Sequence, residues 1–385
     1  MMNLAILGST GSVGTSTLAV VSKYPDRFKV AGLAAGSNVE LLAQQIRIFT
    51  PQVVCVGDDA SRDKLAVLLS GKPSPELLTG QDGMRTIATL DDADMIIQAV
   101  AGAAGLLPTV AAVGAGKKIG LANKESLVMA GALIMAEAQR TGSAIIPIDS
   151  EHSALFQLLS GQRRENIRSI ILTASGGPFL GHALEDLERV QPIDALQHPR
   201  WKMGRKITTD SASLMNKGLE IIEAHWLFGM PADKIQVVIH PESIIHSMVA
   251  FIDGTVIAQM SHPDMRAPIA YALSCPERLD NVIAPLDFAT LGRLTFQTPD
   301  MHRFPSLQLA YDALAAGGLM PAVMNAANEV AVQKFHEHEL SFTSIPRLVR
   351  EVMEHFNGPS TINLESILWA DRWARAEAER LLHKE

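Results

Sequence analysis

A short apolar run, Leu4-Ala5-Ile6-Leu7, feeds directly into Gly8-Ser9-Thr10-Gly11-Ser12-Val13-Gly14, and a helical pattern continues from Ser16 to Ser22. Few structures accommodate a strand that ends in regularly spaced glycines and passes at once into a helix. Small residues permit the tight turn, and the first N–H groups of the helix, with its positive dipole end, face whatever lies above it. Such a turn is an anion cradle, and after a strand it suits the pyrophosphate of a dinucleotide. The first two glycines are three apart rather than two, so the match to Gly-x-Gly-x-x-Gly is imperfect. Thr10 and Ser12 add hydroxyls suited to a phosphate.

The same alternation continues downstream. Lys29 to Ala35 reads as a second strand, Val39 to Phe49 as a helix, and Val53 to Val56 as a third strand. Met95 to Val100, Lys118 to Ala122 and Ala144 to Ile148 read as further strands. Continuous apolar strands separated by helices imply an α/β fold with a Rossmann-like parallel sheet covered on both faces. Met95 to Gly116 carries no charge but holds four glycines and a proline, so a strand, a turn and a helix suit it better than a membrane span. From Ser150 to about Pro285, strand-like runs such as Ser169 to Thr173 and Gln236 to Ile239 are separated by irregular loops, as in an α+β domain. The expected organisation is therefore a dinucleotide-binding domain over 1–149, an α+β domain over 150–285, a linker over 286–305 and a helical domain over 306–385. The final helix is expected from Ser366 to Lys384, with a packing role for this end of the chain.

NAD-specific sites commonly place a carboxylate at the end of the second strand to bind the ribose 2′-hydroxyl. Here Ala35-Gly36-Ser37-Asn38 offers none before Glu40, which leaves room for a 2′-phosphate and favours NADPH. The strand ending at Ile148 runs into Asp149-Ser150-Glu151-His152. In an extended chain, residues two apart face the same side, so Asp149 and Glu151 can address one point. Two hard oxygen ligands suit Mg2+ or Mn2+ better than zinc; an ordinary polar turn is the alternative for this pair. Farther on, Ser211 to Glu220 is read as the head of a helix reaching Phe228, with Asn216, Lys217 and Glu220 on one face. Ser175-Gly176-Gly177-Pro178, just after a strand, is a candidate anion loop. His152, His198 and His246 are candidates for proton transfer or for ordinary polar packing, whereas His336 and His338, two apart on a helix, do not share a face.

In order along the chain, GSTGSVG at 8–14, LANKESLV at 121–128, PIDSEH at 147–152, ASGGPF at 174–179, HPRWKMGRK at 198–206, DSASLMNKGLE at 210–220 and HPESIIHSM at 240–248 resemble the 1-deoxy-D-xylulose 5-phosphate reductoisomerase family over essentially the whole length. The resemblance implies that Thr10, Gly11, Ser12, Val13, Gly36, Ser37, Asn38, Asn123, Glu125 and Gly204 contact NADPH. It implies one divalent metal, Mg2+ or Mn2+ with Co2+ a further candidate, on Asp149, Glu151 and Glu220. Lys124, Ser150, Glu151, Ser175, His198, Ser211, Asn216, Lys217 and Glu220 would surround the sugar phosphate, with Trp201 and Met203 on a flap. Lys124, Glu151, His152 and Glu220 would carry the catalysis. The implied chemistry is carbon–carbon cleavage and rejoining, then hydride transfer to an aldehyde, giving 2-C-methyl-D-erythritol 4-phosphate for non-mevalonate isoprenoid synthesis. Position 37 is Ser where some members carry a basic residue, and the stretch from Leu159 to Ser169 is short. A homodimer is implied by the resemblance only.

Two other readings are weighed. A phosphorylating semialdehyde dehydrogenase would need a nucleophilic cysteine; Cys55 lies in an apolar strand and Cys275 has no evident electropositive setting. A non-catalytic NADPH-binding protein would have little use for Lys124 and three candidate metal ligands. The net charge of −8 gives no basic stripe for a nucleic acid. Two cysteines and no signal-like N-terminus predict a cytoplasmic protein with no membrane partner.

Overall fold

Seven parallel strands form from the short apolar runs of the first part of the chain: β1 (Met2–Leu7), β2 (Phe28–Ala34), β3 (Val53–Val56), β4 (Glu76–Thr79), β5 (Met95–Gln98), β6 (Lys118–Leu121) and β7 (Ile145–Pro147). Their order is β4-β3-β2-β1-β5-β6-β7, and every pairing is parallel. Almost every residue of β1, β2, β3 and β5 is buried, as a sheet covered on both faces requires. The covering helices are α1 (Ser12–Lys23), α2 (Val39–Phe49), α3 (Asp59–Leu69), α4 (Gly80–Ala88), α5 (Leu106–Gly114), α6 (Lys124–Thr141) and the start of α7 (Ser150–Leu159). The chain direction across the sheet reverses between β1 and β5, the place where such sheets open a crevice at the carboxyl ends of their strands. The computed structural model describes residues 1–71, 74–201 and 203–383. Lys202, inside the expected flap motif, and Lys384, the expected end of the last helix, lie outside the described residues.

A second, four-stranded sheet contains β8 (Ile167–Ala174), β9 (Ile235–Ile239), β10 (Ile245–Phe251) and β11 (Val256–Met260), in the order β11-β10-β8-β9. β8 runs parallel to β9 and antiparallel to β10. Two one-turn helices, α8 (Leu184–Leu187) and α9 (Pro192–Ala195), precede α10 (Arg205–Ala212) and α11 (Met215–Phe228). After β11 the chain supplies α12 (Arg266–Ser274), which packs beside α1 on the seven-stranded sheet. The stretch read as a linker holds α13 (Phe288–Leu291), and Gln297 exchanges two backbone hydrogen bonds with Ile239 at the end of β9. The helical end is α14 (Ser306–Ala316), α15 (Met320–His336), α16 (Ser344–His355) and α17 (Leu364–Leu382). Arg375 of α17 clamps Glu329 of α15 at 2.7 Å and Asp371 at 2.9 Å.

By compactness the chain forms two units. One contains residues 1–126, 134–153 and 264–283; the other contains 127–133, 154–263 and 284–385. Boundaries at 149, 285 and 305 follow the chain by segment, whereas compactness gathers discontinuous segments. Among the described residues, no helix is long and apolar enough to cross a membrane. The uncharged run from Met95 to Gly116 resolves into β5, a 3-10 turn and α5.

Two local expectations are corrected. Ser211 does not head the helix through Phe228: it lies in the last turn of α10, and α11 begins only at Met215, because Leu214 takes a left-handed conformation (φ 61°) between them. Asp149 and Glu151 do not alternate along a strand either. β7 ends at Pro147, and Asp149 caps α7: its carboxylate accepts from Glu151 N–H at 3.2 Å and its carbonyl from Ser153 N–H at 2.8 Å.

Candidate active site

In the first unit the glycine turn closes on itself by contact. Gly8 has φ +84°, and a Cβ there would lie 2.5 Å from the Ala99 carbonyl oxygen beyond β5. A Cβ at Gly14 would lie 2.3 Å from the Gly8 carbonyl oxygen, so α1 can start this close to β1 only with glycine. Gly11 is the N-cap of α1 and supplies no capping side chain. The first N–H groups of the helix, at Ser12 and Val13, are thereby left for an anion. Buried Gln45 of α2 locks the turn from behind, donating to the Ser9 carbonyl and accepting from the Ser9 hydroxyl, both at 2.8 Å. Gly36, Ser37 and Asn38 are exposed after β2, and Asn38 caps α2. Glu40 pairs with Lys64 at 2.5 Å, and the segment from Ala35 to Val39 that follows β2 carries no carboxylate.

At the carboxyl ends of β6 and β7 the same unit places a dense polar group. Asn123 caps α6 while its amide donates to the carbonyls of Val100 (2.7 Å) and Gly102 (2.9 Å) and to Glu125 (3.0 Å). Its side chain therefore ties the loop after β5 to the start of α6. Lys124, one residue on, is buried and reaches Asp149 at 2.7 Å. Buried His152 lies 3.3 Å from the other oxygen of Asp149, and Ser150 donates to Glu151 at 2.6 Å.

In the second unit, Ser175 follows β8 at the mouth of a loop that only glycine permits. Gly177 has φ +70°, and a Cβ there would lie 2.8 Å from the Ser211 carbonyl oxygen. His198 Nδ1 accepts the N–H groups of Arg200 (3.2 Å) and Trp201 (2.9 Å), so the ring proton resides on Nε2, 2.9 Å from the Ser175 hydroxyl oxygen. That oxygen also accepts Gly177 N–H at 3.2 Å. With two donors on its oxygen, the Ser175 hydroxyl can direct its own hydrogen to an anion. Burial pushes His198 down to about 4, which keeps it neutral. Trp201 packs on His246, ring centres 6.3 Å apart, and His246 bonds Ser261 at 2.9 Å. Met203 is half-buried and exposed Gly204 caps α10. On α11, Asn216 donates to Glu220 at 2.5 Å, and buried Lys217 pairs with the other oxygen of that carboxylate.

Residue-type reasoning overlooked several groups in this unit. Arg200 donates to the Pro241 carbonyl at 3.1 Å, tying the Trp201 segment to the loop before β10. Buried His240 accepts the N–H groups of Ile244 and Ile245, both at 3.1 Å, and so shapes that loop. Asn328 of α15 holds the buried carboxylate of Asp210 at 2.8 Å. Arg200, Asp210 and His240 lie within the motifs HPRWKMGRK, DSASLMNKGLE and HPESIIHSM, whereas nothing in the sequence singles out Asn328. Cys275 ends α12 beside Met2, Phe28 and Lys118, around a cavity of about 280 Å³. Those residues begin β1, β2 and β6, so this thiol sits at the opposite edge of the sheet from the glycine turn. Cys55 is buried and its thiol is pushed up to about 11.

Family models described as 1-deoxy-D-xylulose 5-phosphate reductoisomerase match residues 4–131, as its C-terminal domain residues 145–228, and as DXP reductoisomerase C-terminal domain residues 260–377. The chain is 55% identical to the 1-deoxy-D-xylulose 5-phosphate reductoisomerase of Prosthecochloris aestuarii over 99% of its own length and 100% of the relative's. That of Chlorobaculum tepidum is also 55% identical, with the same coverage. The solved structure of the Zymomonas mobilis enzyme in complex with NADPH superposes with a TM-score of 0.92 at 40% identity, covering 100% of both chains. A DOX-P reductoisomerase solved with NADPH, fosmidomycin and magnesium gives 0.93 at 39% identity, covering 100% of this chain and 98% of that one. The chain belongs to the 1-deoxy-D-xylulose 5-phosphate reductoisomerase family.

Proposed function

We propose that this chain converts 1-deoxy-D-xylulose 5-phosphate to 2-C-methyl-D-erythritol 4-phosphate, using NADPH and a divalent metal, as a step of non-mevalonate isoprenoid synthesis. One observation carries the reading: in a single unit, the glycine cradle after β1 and the Lys124–Asp149 pair after β6 and β7 occupy the same edge of one parallel sheet. A turn that closes only because Gly8 and Gly14 lack a Cβ leaves the helix N–H groups to a pyrophosphate, and the exposed segment after β2, which has no carboxylate from Ala35 to Val39, fits the 2′-phosphate of NADPH. Asp149, Glu151 and Glu220 offer only carboxylate oxygens, a donor set suited to Mg2+ or Mn2+. When bound, NADPH supplies hydride, and the metal supplies Lewis acidity at adjacent substrate oxygens.

The remaining work falls to side chains. The Lys124 ammonium, held by Asp149, stabilises negative charge developing on substrate oxygen. His152, beside Asp149, is the group best placed to exchange a proton there. The Ser175 hydroxyl, neutral His198, Ser211, Asn216 and Lys217 hold the phosphate, so that remote binding positions the reacting carbons. Trp201 and Met203 cover the substrate against water. Thr10 to Val13, Gly36 to Asn38, Asn123, Glu125 and Gly204 take the NADPH, with Asn123 acting through the loop it pins. A cytoplasmic location accords with two free cysteines; a homodimer and activity with manganese rest on the family relationship.

NADPH oxidation with 1-deoxy-D-xylulose 5-phosphate is expected to need Mg2+ or Mn2+, to stop with EDTA and to return when metal is restored. Glu220→Gln should remove turnover and Cys275→Ser should spare it. Metal-independent turnover, or the reverse result with the two variants, overturns the proposal.

A further inference from the structure

We infer that Asn328 and His336 on α15 are positioning residues for the phosphate end of the site, acting through the Thr209–Asp210–Ser211 end of α10. The inference rests on the assignment of Ser175, Ser211 and Lys217 to the phosphate. Leu214 sets the need for such residues. Its left-handed backbone interrupts the helix, so helical continuity with the segment bearing Asn216 and Lys217 does not set the rotation of α10, which bears Ser211.

The structure supplies a different anchor. Thr209 and Asp210 are 0% and 1% exposed, and both face α15. Asp210 receives the Asn328 amide at 2.8 Å and lies 3.2 Å from the Lys206 ammonium one turn earlier. The Thr209 hydroxyl oxygen lies 2.9 Å from His336 Nε2 and 3.1 Å from the Arg205 carbonyl. The hydroxyl donates to that carbonyl, so the imidazole donates to the hydroxyl. Residues two turns apart on α15 thus grip two successive residues of α10, which fixes both its rotation and its axial position. Asn328 is 0% exposed and its Oδ1 has no hydrogen-bond partner among the described residues. A buried amide half satisfied is costly, so what Asn328 contributes is its bond to Asp210, and an apolar side chain there would strand that buried carboxylate oxygen. Ser211 follows Asp210, and its carbonyl rests where a Cβ on Gly177 would approach to 2.8 Å. With so little slack, a small movement of α10 displaces the Ser211 hydroxyl relative to the Ser175 loop.

The test reads phosphate affinity separately from cofactor affinity, with inorganic phosphate as competitive inhibitor against the sugar phosphate. Asn328→Ala is expected to raise the inhibition constant of phosphate and the substrate KM by on the order of tenfold, leaving the NADPH KM within about twofold. Asn328→Asp, which sets two carboxylates together, should be worse, and the reciprocal pair Asp210→Asn with Asn328→Asp should recover much of the loss. Ser211→Ala is the control. If Ser211→Ala weakens phosphate binding and Asn328→Ala does not, the positioning inference is wrong while the phosphate assignment stands. If neither variant weakens it, both fall. Should Asn328→Ala fail to fold, His336→Ala removes the other, half-buried anchor; an unchanged inhibition constant in that variant overturns the inference.

Discussion

Burial holds the His198 imidazole neutral down to about pH 4, while its two accepted backbone N–H groups fix which nitrogen carries the proton. Both effects prepare Ser175, because an imidazole with its hydrogen on Nε2 can only donate to the serine oxygen. The pH dependence follows with a definite sign. The unfolded chain protonates this group near pH 6.5, the folded chain only near 4, so the unfolded state binds more protons in between. The contribution of neutral His198 is complete above about pH 6.5 and is lost as the pH falls toward 4. In urea titrations, wild type should therefore lose more stability between pH 7 and pH 4.5 than His198→Asn does. Parallel losses in the two proteins would show that the ring is not held neutral. At this scale the sequence was informative about residue type but silent about state: a histidine in an irregular loop suggested function, whereas its tautomer depends on chain folding back by two and three residues.

The break between α10 and α11 sets two effects of Leu214 in opposition. A left-handed non-glycine residue costs about 1–2 kcal/mol, and Leu214→Gly would relieve that. Leu214 is also buried, and truncating a buried leucine costs about 2–5 kcal/mol. At the middle of those ranges burial outweighs strain, so Leu214→Gly should destabilise by about 2 kcal/mol, within the roughly 0–4 kcal/mol that their difference spans. A rise in the urea midpoint would contradict this. The local signal for the break is weak: Ser-Ala-Ser-Leu-Met-Asn-Lys is compatible with a helix throughout, although Ser213 accepts the Met215 N–H at 3.4 Å and Leu214 is buried in the turn. By contrast, α2 and β3 have the bounds their apolar patterns suggest, since Asn38 caps the one and Val53 to Val56 is uniformly buried in the other. The strands that escaped notice are edge or long-range elements. β4 is short and only half-buried, and β10 is stabilised by pairing with β8 some seventy residues away; such strands owe little to their own sequence. Asp149 shows the same limit, for its position was legible and its geometry as a helix cap was not.

The crossing of the chain between its two compact units has a consequence for stability that segment boundaries hide. The alternating strands and helices of residues 1–149 describe the parallel sheet well, yet α12 is contributed by residues more than a hundred positions later. Ile269, Ala270, Ala272 and Leu273 of α12 are buried where it packs beside α1 and against β6 and β7. Nothing local to residues 1–149 reveals that one of their covering helices is missing. Burying Ile269 and Leu273 contributes about 1.5–3 kcal/mol each, a large part of the 5–15 kcal/mol by which a typical domain is stable. A fragment of residues 1–149 should therefore expose apolar sheet surface, unfold with little cooperativity and tend to associate. Rejoining residues 264–283 to residues 1–153 through a flexible linker should restore a cooperative urea transition and, with the glycine cradle then held on a stable sheet, measurable NADPH binding. Equal midpoints and equal NADPH affinity for the two polypeptides would mean that α12 is dispensable and that residues 1–149 are a self-sufficient domain. A midpoint raised by the rejoined helix would place the boundary of the folding unit in space rather than along the chain.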